Sequence, residues 1–182
     1  MSFRYEIRLS GEGGQGLVLA GKVLAEAAAI YDDKNATQSQ SYGPEARGGA
    51  SRSEVIISDD DIDYPKAVNI DLLLALTQES VSRYHSDLRP DGILLVDEDA
   101  VTELPKGEFS VYKLPITRIA REKVGKALVA NIVALGVITE LAKVVSEEAV
   151  ESAILARVPK GTEELNLSAF KAGIEAAKEL VG

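Results

Sequence analysis

The sequence predicts an α/β domain built on a mainly parallel sheet, and three features carry that expectation. Residues 3–9 alternate apolar Phe3, Tyr5, Ile7 and Leu9 with Arg4, Glu6 and Arg8, and lead through a glycine corner into an apolar helix. Residues 71–76 and 93–97 are near-continuous apolar runs on either side of a helix-length segment, as expected of strands covered on both faces and joined by a βαβ crossover. From residue 116 onward the pattern is helical.

The elements follow in chain order. Period two gives a first strand over residues 3–9, and Leu, Val and Ala give a mostly buried helix over 17–30. The polar side of that strand, Arg4, Glu6 and Arg8, predicts either an edge position or a face that meets a partner. Residues 35–41 read as an extended polar segment, and Val55-Ile56-Ile57 as a strand. Residues 59–65 form an acidic loop without the Gly and distal Glu of a calcium loop, read as a solvated turn. Thr77 caps a helix ending near Leu88, and Arg89-Pro90-Asp91-Gly92 is a turn before the strand at 93–97. A short strand at 111–114 precedes helices over 116–124 and 127–144. Ser146 caps a helix to Arg157, and Asn166 caps a last helix to Leu180 after a break at 159–161. No linker divides the chain, so residues 1–182 are expected to form a single domain.

Composition excludes more than it selects. The 182 residues carry a net charge of −9, which argues against a nucleic-acid or anionic-membrane surface. No apolar run reaches spanning length and no signal-peptide layout opens the chain, so a cytoplasmic location is expected. The sequence has no cysteine, which removes thiolate catalysis and cysteine-ligated iron–sulfur clusters from this chain. A lone histidine, His85, in a polar helix leaves little material for a zinc site or a Ser-His-Asp triad, and reads as a surface residue. No catalytic residue and no metal ligand is nominated.

Two loops hold the chemistry. The corner Gly11-Glu12-Gly13-Gly14-Gln15-Gly16 sits between strand and helix, where backbone N–H groups and a helix dipole face outward. It satisfies G-x-G-x-x-G, but the acids of the following region, Asp32 and Asp33, precede a polar segment instead of ending a hydrophobic second strand about 20 residues on. A nicotinamide-dinucleotide site, a purely structural turn, and a seat for a phosphate-bearing ligand or a partner's backbone all remain open. The second loop, Tyr42-Gly43-Pro44-Glu45-Ala46-Arg47-Gly48-Gly49, is either a strand connection or a binding surface; Arg47 suits capture of carboxylate or phosphate. Asn131, inside an apolar helix, must have its amide satisfied, by a neighbouring backbone or by a ligand.

Together and in this order the two loops resemble the gamma subunit of 2-oxoacid:ferredoxin oxidoreductases, with further matches at Ser53-Glu54-Val55-Ile56-Ile57-Ser58 and Ala130-Asn131-Ile132-Val133-Ala134-Leu135-Gly136. The likeness runs from about Ile7 to the last helix and is nearest the 2-oxoglutarate (KorC-like) type, although pyruvate and branched-chain relatives share the loops. It implies a three-layer, Rossmann-like domain with a helical C-terminal third. It further implies a larger enzyme that decarboxylates a 2-oxoacid, forms an acyl-coenzyme A and reduces ferredoxin. The implied partners are alpha and beta subunits that bind thiamine diphosphate, and a ferredoxin-like subunit with the iron–sulfur clusters. This chain would hold neither cofactor, and its contribution would be a contact to coenzyme A or a docking surface. The residues expected there are Gly11, Gly13, Gly14, Gln15 and Gly16 with Tyr42, Gly43, Glu45, Arg47, Gly48 and Gly49. The alternatives are a nicotinamide-dependent dehydrogenase and a ligand-free assembly scaffold.

Overall fold

A computed structural model describes residues 3–41 and 50–182 of the chain. Six strands form one sheet: β1 (Arg4–Gly11), β2 (Asn35–Ser41), β3 (Ser51–Ser58), β4 (Ile70–Ala75), β5 (Leu88–Asp97) and β6 (Ser110–Leu114). Their order is β2-β3-β1-β4-β5-β6. β1, β4, β5 and β6 are parallel, and β3 alone runs against its neighbours, because the β2–β3 hairpin folds back along β1. The sheet is therefore mainly parallel, as expected.

One face carries five helices: α1 (Leu17–Glu26), which continues as a π-helical turn, α3 (Ile116–Ile119), α4 (Ala130–Ala142), α5 (Glu147–Arg157) and α6 (Glu163–Val181). They bury the inward residues Ile7 and Leu9 of β1, Val55 and Ile57 of β3, and Leu72 and Leu74 of β4 in the larger core. The other face carries α2 (Gln78–Tyr84) over Ile56, Leu73, Leu94 and Val96. Two helix layers thus enclose the sheet, and that explains the unbroken apolar runs of β4 and β5. Caps fall where the sequence places two of them: the Thr77 and Ser146 hydroxyls accept from the N–H groups of Ser80 and Ala149.

Three expectations are corrected. β1 is neither an edge strand nor bare on its polar side; it lies third of six, with Glu6 and Arg8 buried. Arg8 pairs with Glu54 at 2.7 Å and with Asp87, and its guanidinium lies 4.9 Å from the Tyr84 ring centre. Glu6 accepts from the N–H groups of Val68 and Asn69. Burying charge is tolerated because each charge finds a partner within the fold. Arg89–Gly92 are not a free turn. They belong to β5, where a register shift between Ile70 and Leu72 and the left-handed Asp91 (φ 66°) absorb the irregularity. Asn166 is not a cap. It lies one turn inside α6, its Nδ2 donating to the Thr162 carbonyl.

α4 and α6 cross in close contact. A Cβ on Gly136 would sit 2.1 Å from the Phe170 carbonyl oxygen, and one on Gly173 2.0 Å from that of Val133. Only glycine admits this approach of two backbones, which meet midway along both helices.

Candidate functional site

The glycine corner stands at the C-terminal edge of the parallel strands, where α/β sheets of this kind bind ligands. It is braced from three directions. The Ser51 hydroxyl donates to the Gly11 carbonyl, the Leu76 N–H to that of Ser10, and the Gln15 side chain folds back to accept from the Glu12 N–H at 2.6 Å. Gly14 (φ 87°) and Gly16 (φ 75°) take left-handed conformations, and Gly16 caps α1.

Asn131 supplies a further brace, to the far end of the corner. From the first turn of α4 its Nδ2 donates to the Gly16 carbonyl at 3.0 Å, and its Oδ1 accepts from the Ile132 N–H. Of the two roles open to this amide, the structure shows the tie to a neighbouring backbone.

The four glycines divide by what surrounds them. A Cβ on Gly11 would fall 2.1 Å from Gln15 Oε1 and displace that side chain from its bond to the Glu12 N–H, and one on Gly16 would fall 2.5 Å from Asn131 Nδ2 from a left-handed backbone, so Gly16 is glycine for internal reasons. Gly14 needs its positive φ. Gly13 has no positive φ, and among the described residues a Cβ there would meet nothing within 4 Å. Among the described residues no group accepts from the N–H of Gly13, Gly14 or Gly16. Among the described residues the corner thus carries unpaired donors at the positive end of α1.

Two cavities flank it. One, about 290 Å³, lies between Gly14 and Gly16 on its rim and Leu128, Val129, Pro159 and Leu165 on its walls. The other, about 270 Å³, is bounded by Gly14, Gln15, Leu76, Thr117 and Leu128. Leu128 stands between them with 80% of its surface exposed. Nothing in the sequence marks Leu128, which falls inside an apolar helical pattern and reads as core. Asn166, which also lines the first cavity, is disguised as a cap.

Of the residues expected at the site, Gly11, Gly13, Gly14, Gln15 and Gly16 are brought together in this way. Tyr42, Gly43, Glu45, Arg47, Gly48 and Gly49 lie outside the described residues. Among the described residues no acid ends a hydrophobic strand next to β1 in the way a dinucleotide arrangement requires. β3 and β4 flank β1, β2 lies beyond β3, and Asp32 is engaged with the N–H and hydroxyl of Ser146 at the start of α5. His85 is half-buried, with Nδ1 2.8 Å from the Val81 carbonyl oxygen. Among the described residues no group of three or more His, Asp or Glu side chains is placed to hold a metal, and no helix is long and apolar enough to cross a membrane.

Residues 6–176 match the family model for pyruvate ferredoxin/flavodoxin oxidoreductase. The chain is 55% identical over 182 residues to the 2-oxoglutarate synthase subunit KorC of Methanocaldococcus jannaschii, covering 99% of this chain and 97% of that protein. The gamma subunit of a keto/oxoacid ferredoxin oxidoreductase from Geobacter sulfurreducens superposes with a TM-score of 0.91 at 55% identity, with 98% of each chain covered. The fold recurs, at 22% identity and a TM-score of 0.84, within the 2-oxoglutarate:ferredoxin oxidoreductase of Magnetococcus marinus. There the match covers 97% of this chain and 31% of that one, a protein solved with 2-oxoglutarate, coenzyme A and succinyl-CoA bound.

Proposed function

The chain belongs to the pyruvate ferredoxin/flavodoxin oxidoreductase family, and from that premise we propose that it is the gamma subunit of a multisubunit 2-oxoglutarate:ferredoxin oxidoreductase. The reaction of that assembly releases carbon dioxide from the oxoacid, joins the remaining acyl group to the coenzyme A thiol, and passes two electrons to ferredoxin. The donor set of this chain does not fit an iron–sulfur cluster, since the sequence contains no cysteine. Redox chemistry and thiamine diphosphate are assigned to alpha, beta and ferredoxin-like partner chains, and no step of the chemistry is assigned here.

The role left to this chain is to grip a phosphate-bearing group of coenzyme A. The observation that carries it is the bare corner at Gly13 and Gly14. Its N–H groups are unpaired among the described residues, it lies at the positive end of α1, and none of the described residues requires glycine at position 13. Such a corner neutralises anionic oxygens through backbone donors without introducing a side chain. Arg47 would add charge, with Glu45 orienting it.

A docking role is favoured by one observation, the exposure of Leu128 beside the glycine corner. Arg47→Ala in the reconstituted complex separates the two. A raised KM for coenzyme A with assembly intact supports the grip on phosphate. Loss of assembly supports docking, and no change in either removes Arg47 from the site.

A further inference from the structure

We propose that the outer edge of β2 is a self-association surface, on which a second copy of this chain pairs antiparallel about a twofold axis through Gln38. The inference does not depend on the reading of the glycine corner.

β2 ends the sheet on one side and β6 on the other. A bare sheet edge invites another strand, and proteins blunt such edges with brevity, lysine, proline or a bulge. β6 is five residues long and carries Lys113. β2 is seven residues long and has none of these devices. It pairs with β3 without a register shift, and no residue in it takes a positive φ. In a chain that is 27% charged, β2 carries no charge, so nothing along it repels a copy of itself.

The ladder fixes which backbone groups face outward. The Asp59 N–H donates to the Phe3 carbonyl, so the odd-numbered residues of β3 bond to β1 and the even-numbered ones to β2. Asn35, Thr37, Ser39 and Ser41 oppose those even-numbered residues and bond to them. The N–H and C=O groups of Ala36, Gln38 and Gln40 therefore point away from the sheet, and no described residue bonds them.

Self-pairing about Gln38 uses all of these groups. Gln38 faces Gln38 of the second copy, Ala36 faces Gln40, and every outward donor meets an outward acceptor. Between them Thr37 faces Ser39, a hydroxyl pair that stabilises neighbouring strands, whereas a charge set opposite its like would drive them apart. α1 lies over the same edge, with Gly21 close to the side chains of Gln38 and Ser53. Val18, Lys22, Ala25 and Ala29 recur at helical spacing on the flank of this helix away from the buried Ala20, Leu24 and Ala27. The twofold axis brings these flanks of the two copies toward each other above the paired strands. They are small or apolar apart from Lys22, whose long stem lets its charge reach water. A strand of a different subunit is the rival occupant of the edge.

The test is sedimentation equilibrium of the full chain between about 10 μM and 1 mM, the range in which small interfaces associate. Salt at about 0.15 M screens the net charge of −9 on each copy. The average mass should climb from the 19.4 kDa of one chain toward twice that value. Gln38→Lys and Gln38→Glu each set like charges face to face at the axis, and each should weaken association by about tenfold or more. Mixing the two variants should restore it, because Lys then faces Glu. Urea midpoints of both variants check that they fold. A second arm uses the absence of cysteine from the chain. The Cα atoms of a directly opposed, hydrogen-bonded pair lie about 5.5 Å apart, within disulfide reach. Gln38→Cys under a mild oxidant should therefore give a cross-linked dimer well before Val111→Cys on the opposite edge does. A chain that stays monomeric throughout leaves the edge to a different subunit and overturns the proposal. So does a dimer indifferent to both charges, a mixture that does not re-associate, or cross-linking at Gln38→Cys no faster than at Val111→Cys.

Discussion

Replacing Gly13 by valine tests the corner without disturbing the fold. The backbone at 13 is compatible with an L side chain, and among the described residues the nearest heavy atom to a Cβ lies beyond 4 Å. A substitution of this kind costs the folded state little and restricts the unfolded chain, an effect of about 0.4–1 kcal/mol in favour of the native state. Thermal midpoint should hold or rise by a few degrees. Binding should not be so tolerant. A hydrogen bond from a backbone N–H to a charged oxygen contributes about 1.5–3 kcal/mol, and the valine methyls would occupy the space such an oxygen needs. Losing one of these bonds raises the KM for coenzyme A by roughly 10- to 150-fold, at about 1.4 kcal/mol per factor of ten. Steady-state kinetics of the reconstituted complex, with the 2-oxoacid saturating, measure this directly. Gly16→Ala is the contrast, since its Cβ would meet Asn131 Nδ2 at 2.5 Å from a left-handed backbone, so it should lower the thermal midpoint of the isolated chain. A Gly13→Val enzyme with unchanged KM and intact assembly refutes the role given to the corner.

Further expectations concern the frame that carries the site. Gly173→Ala drives a methyl to 2.0 Å from the Val133 carbonyl oxygen, and should destabilise the chain by about 3 kcal/mol or more, seen as an early urea midpoint. Arg8→Leu leaves Glu54 without its 2.7 Å partner on a buried face; a loss of about 3–5 kcal/mol is expected, and Arg8→Lys should recover only part of it. Burial holds the Asp71 carboxyl above its ordinary range, with the Glu6 N–H and Arg89 pulling the other way. A raised folded value favours the native state fully below the unfolded pKa of about 3.9, and that contribution is lost as pH rises through the folded value. Asp71→Asn cannot titrate. Its stability relative to the unaltered chain should climb from about pH 4 upward and then level; urea midpoints showing a constant difference across that range would contradict it.

Much of the fold is legible in the sequence because it follows from local periodicity. The runs at 71–76 and 93–97 announce strands buried on both faces, and Thr77 and Ser146 mark helix starts by a mechanism confined to three residues. What the sequence hides depends on distant partners. Arg4, Glu6 and Arg8 read as an edge or a face that meets a partner because, apart from the Arg4–Glu6 pair, the groups that bond the buried Glu6 and Arg8, at residues 54, 68, 69 and 87, lie more than forty positions away. Asn166 resembles a cap because a helix's first turn and its N-cap use the same residue types. The glycine corner is conspicuous in the sequence, but nothing there separates the glycines that serve packing from the one that faces outward. That distinction needs the position of Asn131, 115 residues from Gly16.

The corner is rigid because three remote segments hold it, and this bears on how it would act. The Gly16 carbonyl accepts both the first intrahelical bond of α1, from Ala20, and the amide of Asn131 in α4. α4 is locked to α6 through glycines whose backbones touch, and α6 begins at the cavity wall. Donors aimed in advance need little reorganisation when an anion arrives, and the ordering cost that weakens binding to loops is met during folding instead. It follows that damage at the α4–α6 crossing should reach the ligand only through loss of structure. In Gly173→Ala, the KM for coenzyme A of whatever enzyme remains folded should match that of the unaltered complex, with the loss confined to the amount of active material. A raised KM in the folded fraction would mean instead that the corner is adjustable, set continuously by helix position.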